Sequence, residues 1–418
     1  MPELVVNRKF CIEKANYIEM KHPIQSSSET MITLPDQFKP YLSSLLKDKP
    51  VLPPNASKED WNQFLFALKN QWIAPLLYWK ITTLSSASHL PHHMVKHLRN
   101  AFLWSRFRTM QMEKQLSVML NAFQQAGIDI LIIKGPAIAW SIYPDPATRP
   151  SSDLDILIKP FQVERAAVLL QELGCRRKTK RFTPFLKDIY KDDLFSPPEK
   201  ARHFRGIELH WDLYICHGKT REVGVEDLFQ RAVELKTPSL TMSILHPIDA
   251  LIYAAINIRN HFPHNRLTWI YDTALLAGQL CKADDWKILQ QRCVDWRGRN
   301  ALETALKLSR EWAGISIPFG FDDFSQWPAP VAVESARHCR PGMRREWFID
   351  GVFIYVVRIF GVDSISSIFS MVTCVFTLLF PSADNIRASY PPSYRWLLPL
   401  SYARRWLHWG KMWFWKVV

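Results

Sequence analysis

Two carboxylates, Asp153 and Asp155, stand one residue apart in the run Ser152-Asp-Leu-Asp-Ile-Leu-Ile158. The aliphatic flanks predict a β-strand over 153–158. Side chains alternate across a strand, so both carboxylates point to one face. Leu154 and Ile156 are expected to fall on opposite sides, as in a strand covered on both faces. Carboxylates this close repel each other unless one is protonated or a cation bridges them. Oxygen ligands completed by water and phosphate suit Mg²⁺. The run Gly206-Ile-Glu-Leu-His-Trp211 predicts a further alternating strand, with Glu208 and His210 on one face and Ile207 and Leu209 on the other. Laid beside the Asp pair, it would make Glu208 the third acidic ligand. Three carboxylates can hold two metal ions, which clamp the attacking and leaving oxygens of a phosphoryl or nucleotidyl transfer. His210 is a candidate substrate contact, the plainer alternative being a satisfied core histidine.

Cationic residues lie nearby in sequence. Ile128 to Ile133 predicts a short strand that ends in Lys134-Gly135-Pro136. There Gly135 lets the backbone approach a phosphate and Lys134 supplies a point charge. Arg149, four residues before Asp153, is placed to hold a second phosphate in bidentate fashion. Asp272 sits in an apolar helical run, where a buried carboxylate needs a partner; Arg266 and the substrate are the candidates, and a structural role is the simpler reading. His92, His93 and His97 lack the spacing of a facing helical pair and read as surface or capping residues. Gly218-Lys219-Thr220 lacks the upstream glycine of a P-loop.

The elements around these residues change period along the chain. Residues 1–57 form a polar, Pro-punctuated lead-in. From 58 to 126 the spacing is helical, with Trp61, Phe64, Leu65, Leu68 and Trp72 recurring every three or four residues, and then a long helix over about 94–126 stopped by Gly127. Residues 127–235 are α/β in character: the strands named above, one or two helical turns at 137–143, and an amphipathic helix over 161–173 closed by Gly174. The helical period returns over 236–345, with helices expected at 247–259, 268–281, 284–294 and 299–313. Residues 346–418 are apolar and then basic and Trp-rich.

Several of these runs resemble one family. Leu131-Ile-Ile-Lys-Gly-Pro136, Tyr143-Pro-Asp-Pro146, Arg149-Pro150 and Ser152 to Ile158 look like the uncharacterised bacterial nucleotidyltransferases of the DNA polymerase β-type superfamily. Ala74-Pro-Leu-Leu-Tyr78, Leu173-Gly174, Ile207-Glu-Leu-His-Trp211, Trp269-Ile-Tyr-Asp272 and the stretch Phe380 to Tyr390 are similar as well. The resemblance implies an α+β fold, a mixed sheet with helices, flanked by N-terminal and C-terminal helical regions. It implies an enzyme that moves a nucleoside monophosphate from a nucleoside triphosphate, ATP among them, to an acceptor hydroxyl with release of pyrophosphate. Carried over, Asp153, Asp155 and Glu208 are catalytic and bind Mg²⁺, while Lys134, Gly135, Arg149 and Ser152 bind the nucleotide. Most of the superfamily has a Gly-Ser pair where this chain has Lys134-Gly135-Pro136. The acceptor is unidentified: a glycan, a small molecule or a protein, with a hint of polysaccharide or peptide modification.

The 418 residues, 22% charged and 13% aromatic, exclude a disordered chain, and 14 glycines exclude collagen-like sequence. The net charge of +14 points to anionic partners. Part of the excess falls in 176–205, where ten Lys and Arg meet four Asp and Glu; this stretch is read as a surface or substrate-side loop. No recognition helix or known RNA module is visible, so nucleic acid is not the expected partner. Seven scattered cysteines and no signal-type N-terminus fit a cytoplasmic protein. The uncharged segment 364–380 reads as a core helix rather than a span. The tail 395–416 interleaves Trp with Arg and Lys, as at an anionic membrane surface, so the two expectations for it are a terminal helix whose Trp residues pack on the domain and peripheral attachment at the inner face of the membrane. The alternative function is a non-catalytic nucleotide-binding or scaffold protein held there by this tail.

Overall fold

The computed structural model describes residues 34–84, 89–178, 192–201, 204–213, 224–261, 266–296 and 298–327. The segments 364–380 and 395–416 lie outside them. Among the described residues no helix is long and apolar enough to cross a membrane.

The chain enters through four helices: α1 (Lys39–Leu46), α2 (Lys58–Asn70), α3 (Ala74–Thr83) and α4 (His92–Gln125). The lead-in expected to be polar buries Phe38, Tyr41, Leu42, Leu45 and Leu46. Helix α2 starts on a capping box, in which the Ser57 hydroxyl accepts from the Asp60 amide and the Asp60 carboxylate accepts from the Ser57 amide. Gly127 follows α4 at φ +63°, a left-handed position that glycine occupies without Cβ strain.

Strand β1 (Ile130–Ile132) leads into α5 (Gly135–Ile142), and β2 (Asp153–Ile158) into α6 (Val163–Glu172). Then come β3 (Arg176–Arg177), β4 (Asp192–Ser196), β5 (Gly206–His210), α7 (Val225–Gln230), β6 (Val233–Lys236) and β7 (Thr241–Ile244). The helices α8 (Pro247–Asn260), α9 (Leu267–Gly278), α10 (Ala283–Asp295) and α11 (Arg299–Ala313) close the described fold. These four helices lie within three residues of the expected positions.

The α+β architecture is the one expected. Its sheet is larger: seven strands in the order β3-β4-β5-β2-β1-β7-β6. β2 runs antiparallel to β1 and parallel to β5. The stretch read as a basic loop contributes β3 and β4, and Arg177 there is spent on Glu164 and on buried Asp193. The β6–β7 hairpin carries the sheet to Ile244, beyond residue 235. Short, charged strands such as β3, at the sheet edge, and β4 beside it lack a clean two-residue period, which is why they read as loop.

Two apolar cores sandwich the sheet. Leu154, Ile156 and Ile158 of β2 and Ile207 and Leu209 of β5 pack on Met112, Leu116, Met119 and Phe123 of α4 and on Ala166, Ala167 and Leu170 of α6. Leu154 and Ile156 thus share one face, not opposite sides, because residues two apart on a strand point the same way. Leu157 faces the other core with Leu131 and Ile133, against Ile248, Leu251, Ile252 and Ile256 of α8. Helices α1 to α3 and α8 to α11 join that same core. Asp153 and Asp155 alternate in step with Leu157, so they stand on the face covered by α8, at the strand end where cover begins.

Candidate functional site

The parallel pairing of β2 with β5 builds the site. Asp153 lies opposite Gly206, and Asp155 opposite Glu208. Glu208 and His210, on the face away from Ile207 and Leu209, therefore come beside the two aspartates. Asp155 is 3% exposed. A bare carboxylate there would be costly, and two cations attend it. Lys134 Nζ donates to Asp155 Oδ1 at 3.0 Å, and His210 Nε2 lies 3.1 Å from the same oxygen. His210 Nε2 is also 3.5 Å from Glu208 Oε2. Lys134 sits 5.4 Å from the centre of the Tyr253 ring, a cation–π contact.

These contacts set the charges. Burial alone would push the Asp155 carboxyl up, but the Lys134 charge and the His210 hydrogen bond hold it well below the usual carboxylate range. Burial would lower the Lys134 ammonium, and Asp155 keeps it above its ordinary value. Burial also opposes protonation of His210, yet the carboxylates of Asp155 and Glu208 raise it. Asp153 differs: burial, then Asp155 and Glu208, push its carboxyl up, against a hydrogen bond from Ser152.

The donor atoms of Asp155, Glu208 and His210 lie within 4.8 Å of one another. The expected metal set was Asp153, Asp155 and Glu208; the structure gathers His210 in the compact group and leaves Asp153 beside it on the same face. Carboxylates suit Mg²⁺ or Mn²⁺, and imidazole widens the choice to other divalent ions. Burial first, and then its carboxylate neighbours, raise Asp153, and a cation would offset both. The donor set fits a divalent cation.

Lys134 occupies the turn before α5, whose amino-terminal end adds positive potential. That turn is braced. Gly135 has φ +33°, and a Cβ there would lie 3.0 Å from Ser151 Oγ and 3.7 Å from Arg149 Nη1. Arg149, expected to grip phosphate, has its guanidinium taken up by Asp272: Nη2 donates to Oδ2 at 2.7 Å and Nε to Oδ1 at 3.2 Å. Its Nη1 donates to Ser151 Oγ at 3.0 Å. The Tyr143 hydroxyl donates to Asp272 Oδ1 at 2.7 Å. So the partner of Asp272 is Arg149, not Arg266. Ser152 is exposed next to Asp153.

Two arginines that the sequence reading did not place at the site share the electrostatic field of Asp153. Arg266 lies 4.0 Å from the centre of the Trp72 ring and 5.1 Å from that of Trp269. Trp72 has φ +56°, unusual for a bulky residue. Its neighbour Gln71 accepts hydrogen bonds from the Leu267 amide and the Thr268 hydroxyl, tying this turn to the start of α9. Burial lowers the Arg266 guanidinium, and the charge of Asp153 acts against that. Arg205 also feels Asp153. A sequence signal for Arg205 did exist. It directly precedes β5, and parallel strands bring their starting ends together.

Among curated proteins no relative matches the chain. The family model described as an uncharacterised nucleotidyltransferase matches residues 57–314, more than half of the 418. That span holds every site residue named above, and the chain belongs to this nucleotidyltransferase family.

Proposed function

We propose that the protein is a Mg²⁺-dependent nucleotidyltransferase that moves a nucleoside monophosphate from a nucleoside triphosphate to an acceptor hydroxyl. The acceptor oxygen forms a bond to the α-phosphorus, the bond from that phosphorus to the bridging oxygen breaks, and pyrophosphate leaves with the bond's electron pair. The observation that carries the reading is the register of Asp155 with Glu208 on neighbouring parallel strands, with Asp153 on the same face. This arrangement also favours the DNA polymerase β-type superfamily.

The cation would be held by Asp155 and Glu208 with Asp153 or His210, and when bound it polarises phosphate oxygens and offsets their charge. Lys134 neutralises the triphosphate in place of the missing Gly-Ser pair. Arg266, held on Trp72 and Trp269, adds a second positive group. Glu208, half-buried and beside His210, takes the acceptor proton. Arg149 positions: it holds Asp272 and Ser151, and through Gly135 it keeps Lys134 aimed at Asp155.

Calorimetric titration of each nucleoside triphosphate with Mg²⁺ tests the reading, starting with ATP. Metal-dependent binding to the wild type, lost in Asp153→Ala/Asp155→Ala, is expected. No metal-dependent binding of any nucleoside triphosphate would sink it.

A further inference from the structure

One long face of α4 is left uncovered, and it is apolar at its centre. Leu103, Trp104, Phe107 and Met110 are each about half exposed, at 46–53%. Single apolar side chains on a surface need no explanation, but a contiguous patch does. By helical geometry Leu103, Phe107 and Met110 fall within an arc of about 60°. That arc points away from the sheet, because Met112, Leu116, Met119 and Phe123 pack the other side of the same helix on β2 and β5. Val118, also exposed, prolongs it toward the carboxyl end of the helix. Trp104 stands at one edge. Its ring stacks on Phe107 with centres 5.8 Å apart, and Arg108 lies 5.0 Å from the centre of the indole.

The charge around this patch is of one sign. Lys96 and Lys114 continue the arc at its two ends, Arg99 and Arg106 line one flank, and Arg108 lines the other. Lys96, Arg99, Arg106 and Lys114 are exposed, and none of them has an ion-pair partner among the described residues. The one acidic residue of α4, Glu113, lies off this face and accepts from the Ser239 hydroxyl. An apolar centre ringed by unpaired cations is complementary to a surface that is anionic outside and apolar just beneath. The headgroup region of an anionic bilayer is such a surface: apolar side chains enter the acyl boundary, and long Lys and Arg side chains reach back to lipid phosphates. A second copy of the chain fits poorly, since a two-fold contact would set like charges against each other with no carboxylate between them. Nucleic acid fits poorly as well, because Leu103 and Met110 offer no aromatic face on which a base could stack.

We propose that the exposed face of α4 lies on an anionic lipid surface, with Leu103, Trp104, Phe107 and Met110 inserted at headgroup level. The proposal does not depend on the transferase reading. The tail 395–416 repeats the same pairing of Trp with basic residues in sequence, and stable surface attachment commonly takes two weak anchors. Asp153 and Asp155 stand on the sheet face opposite α4, so the bound protein turns its carboxylates away from the lipid.

Flotation of the full chain with phosphatidylcholine vesicles, with and without phosphatidylglycerol, is the test. The tail stays intact in every variant, so a difference belongs to α4. Leu103→Ser/Phe107→Ser changes side chains that the fold leaves exposed, and its Tm should equal that of the wild type. Partition onto phosphatidylglycerol vesicles should weaken about tenfold or more. Leu103→Met/Phe107→Leu keeps the apolar surface and should bind like wild type. Lys96→Gln/Arg99→Gln/Arg106→Gln should weaken binding too, and the wild type should float poorly with phosphatidylcholine alone. A wild type that does not float with either vesicle overturns the proposal. Unchanged flotation of Leu103→Ser/Phe107→Ser also overturns it and leaves any attachment to the tail. Equal binding to the two vesicle types removes the anionic partner and overturns it as well. A wild-type dimer that becomes monomeric in the Ser variant, seen by light scattering, would make the face an interface between copies instead. RNA binding lost in that variant, with flotation unchanged, would assign the face to nucleic acid and overturn the proposal.

Discussion

Arg149 and Asp272 lie 123 positions apart in sequence and meet as a buried ion pair, with Nη2 and Oδ2 2.7 Å apart. Tyr143 completes the cluster on the same carboxylate. One side of this cluster supports α9, and the other presses Ser151 and Arg149 against Gly135, next to Lys134. The loop after α5 is therefore locked to the helical core, and the lock sets the direction of the lysine at the site.

Breaking that pair should be expensive. Asp272→Asn leaves Arg149 charged and buried, a situation that costs about 3–5 kcal/mol. Urea unfolding should show a markedly lower midpoint than wild type. A midpoint within error of wild type would contradict the structural role of the pair.

Gly135→Ala tests the brace itself. Its φ of +33° disfavours a Cβ, and the nearest atom is Ser151 Oγ at 3.0 Å. Strain of about 1–2 kcal/mol is expected. Because the displaced atoms hold the Lys134 turn, nucleotide affinity should fall further than the change in Tm alone explains. Equal affinity in the two proteins would show that the turn does not aim Lys134.

Asp155→Asn keeps the shape of the side chain and removes the charge that Lys134 and His210 both contact. Nucleotidyl transfer should drop about 100-fold or more, with the far-UV spectrum unchanged. Chelation of divalent ions should abolish transfer in the wild type, and Mg²⁺ should restore it. Full turnover in the presence of chelator would remove the metal from the scheme.

Arg266→Gln removes a charged donor while leaving the Trp72 and Trp269 rings in place. Losing one charge-assisted contact of about 1.5–3 kcal/mol should weaken binding of the triphosphate by about 10–100-fold. Binding of a nucleoside without phosphates should not change. Equal weakening of both ligands would assign Arg266 to the base and not to the phosphates.

The metal-free protein should show a defined pH dependence. His210 is raised above its ordinary 6.5, so its stabilising contribution is fully present below that pH and fades as pH rises through the raised value. Asp155 is held below its ordinary 3.8, so its contribution is present above that pH and fades as pH falls through the depressed value. Stability should decline on the alkaline side of 6.5, and His210→Gln should remove that decline. NMR titration of the imidazole gives an independent reading, and a midpoint below 6.5 would contradict the contacts described.

What could be read from the sequence was local. Two-residue alternation identified β2 and β5 and the shared face of Glu208 and His210. The 3.6-residue period found the helices α2 to α6 and α8 to α11, because both patterns arise from backbone geometry within a few residues. The strands β3, β4, β6 and β7, of which β3 and β6 are the sheet edges, escaped because pairing, rather than their own apolar pattern, makes them strands. Among the site residues, Asp153, Asp155 and Glu208 were legible from type and spacing. That Asp155 stands opposite Glu208 and that Asp272 takes Arg149 away from the phosphates were decided by tertiary structure alone. Strand register and ion pairing over 123 residues depend on how separate elements pack, and no periodicity in a single segment encodes them.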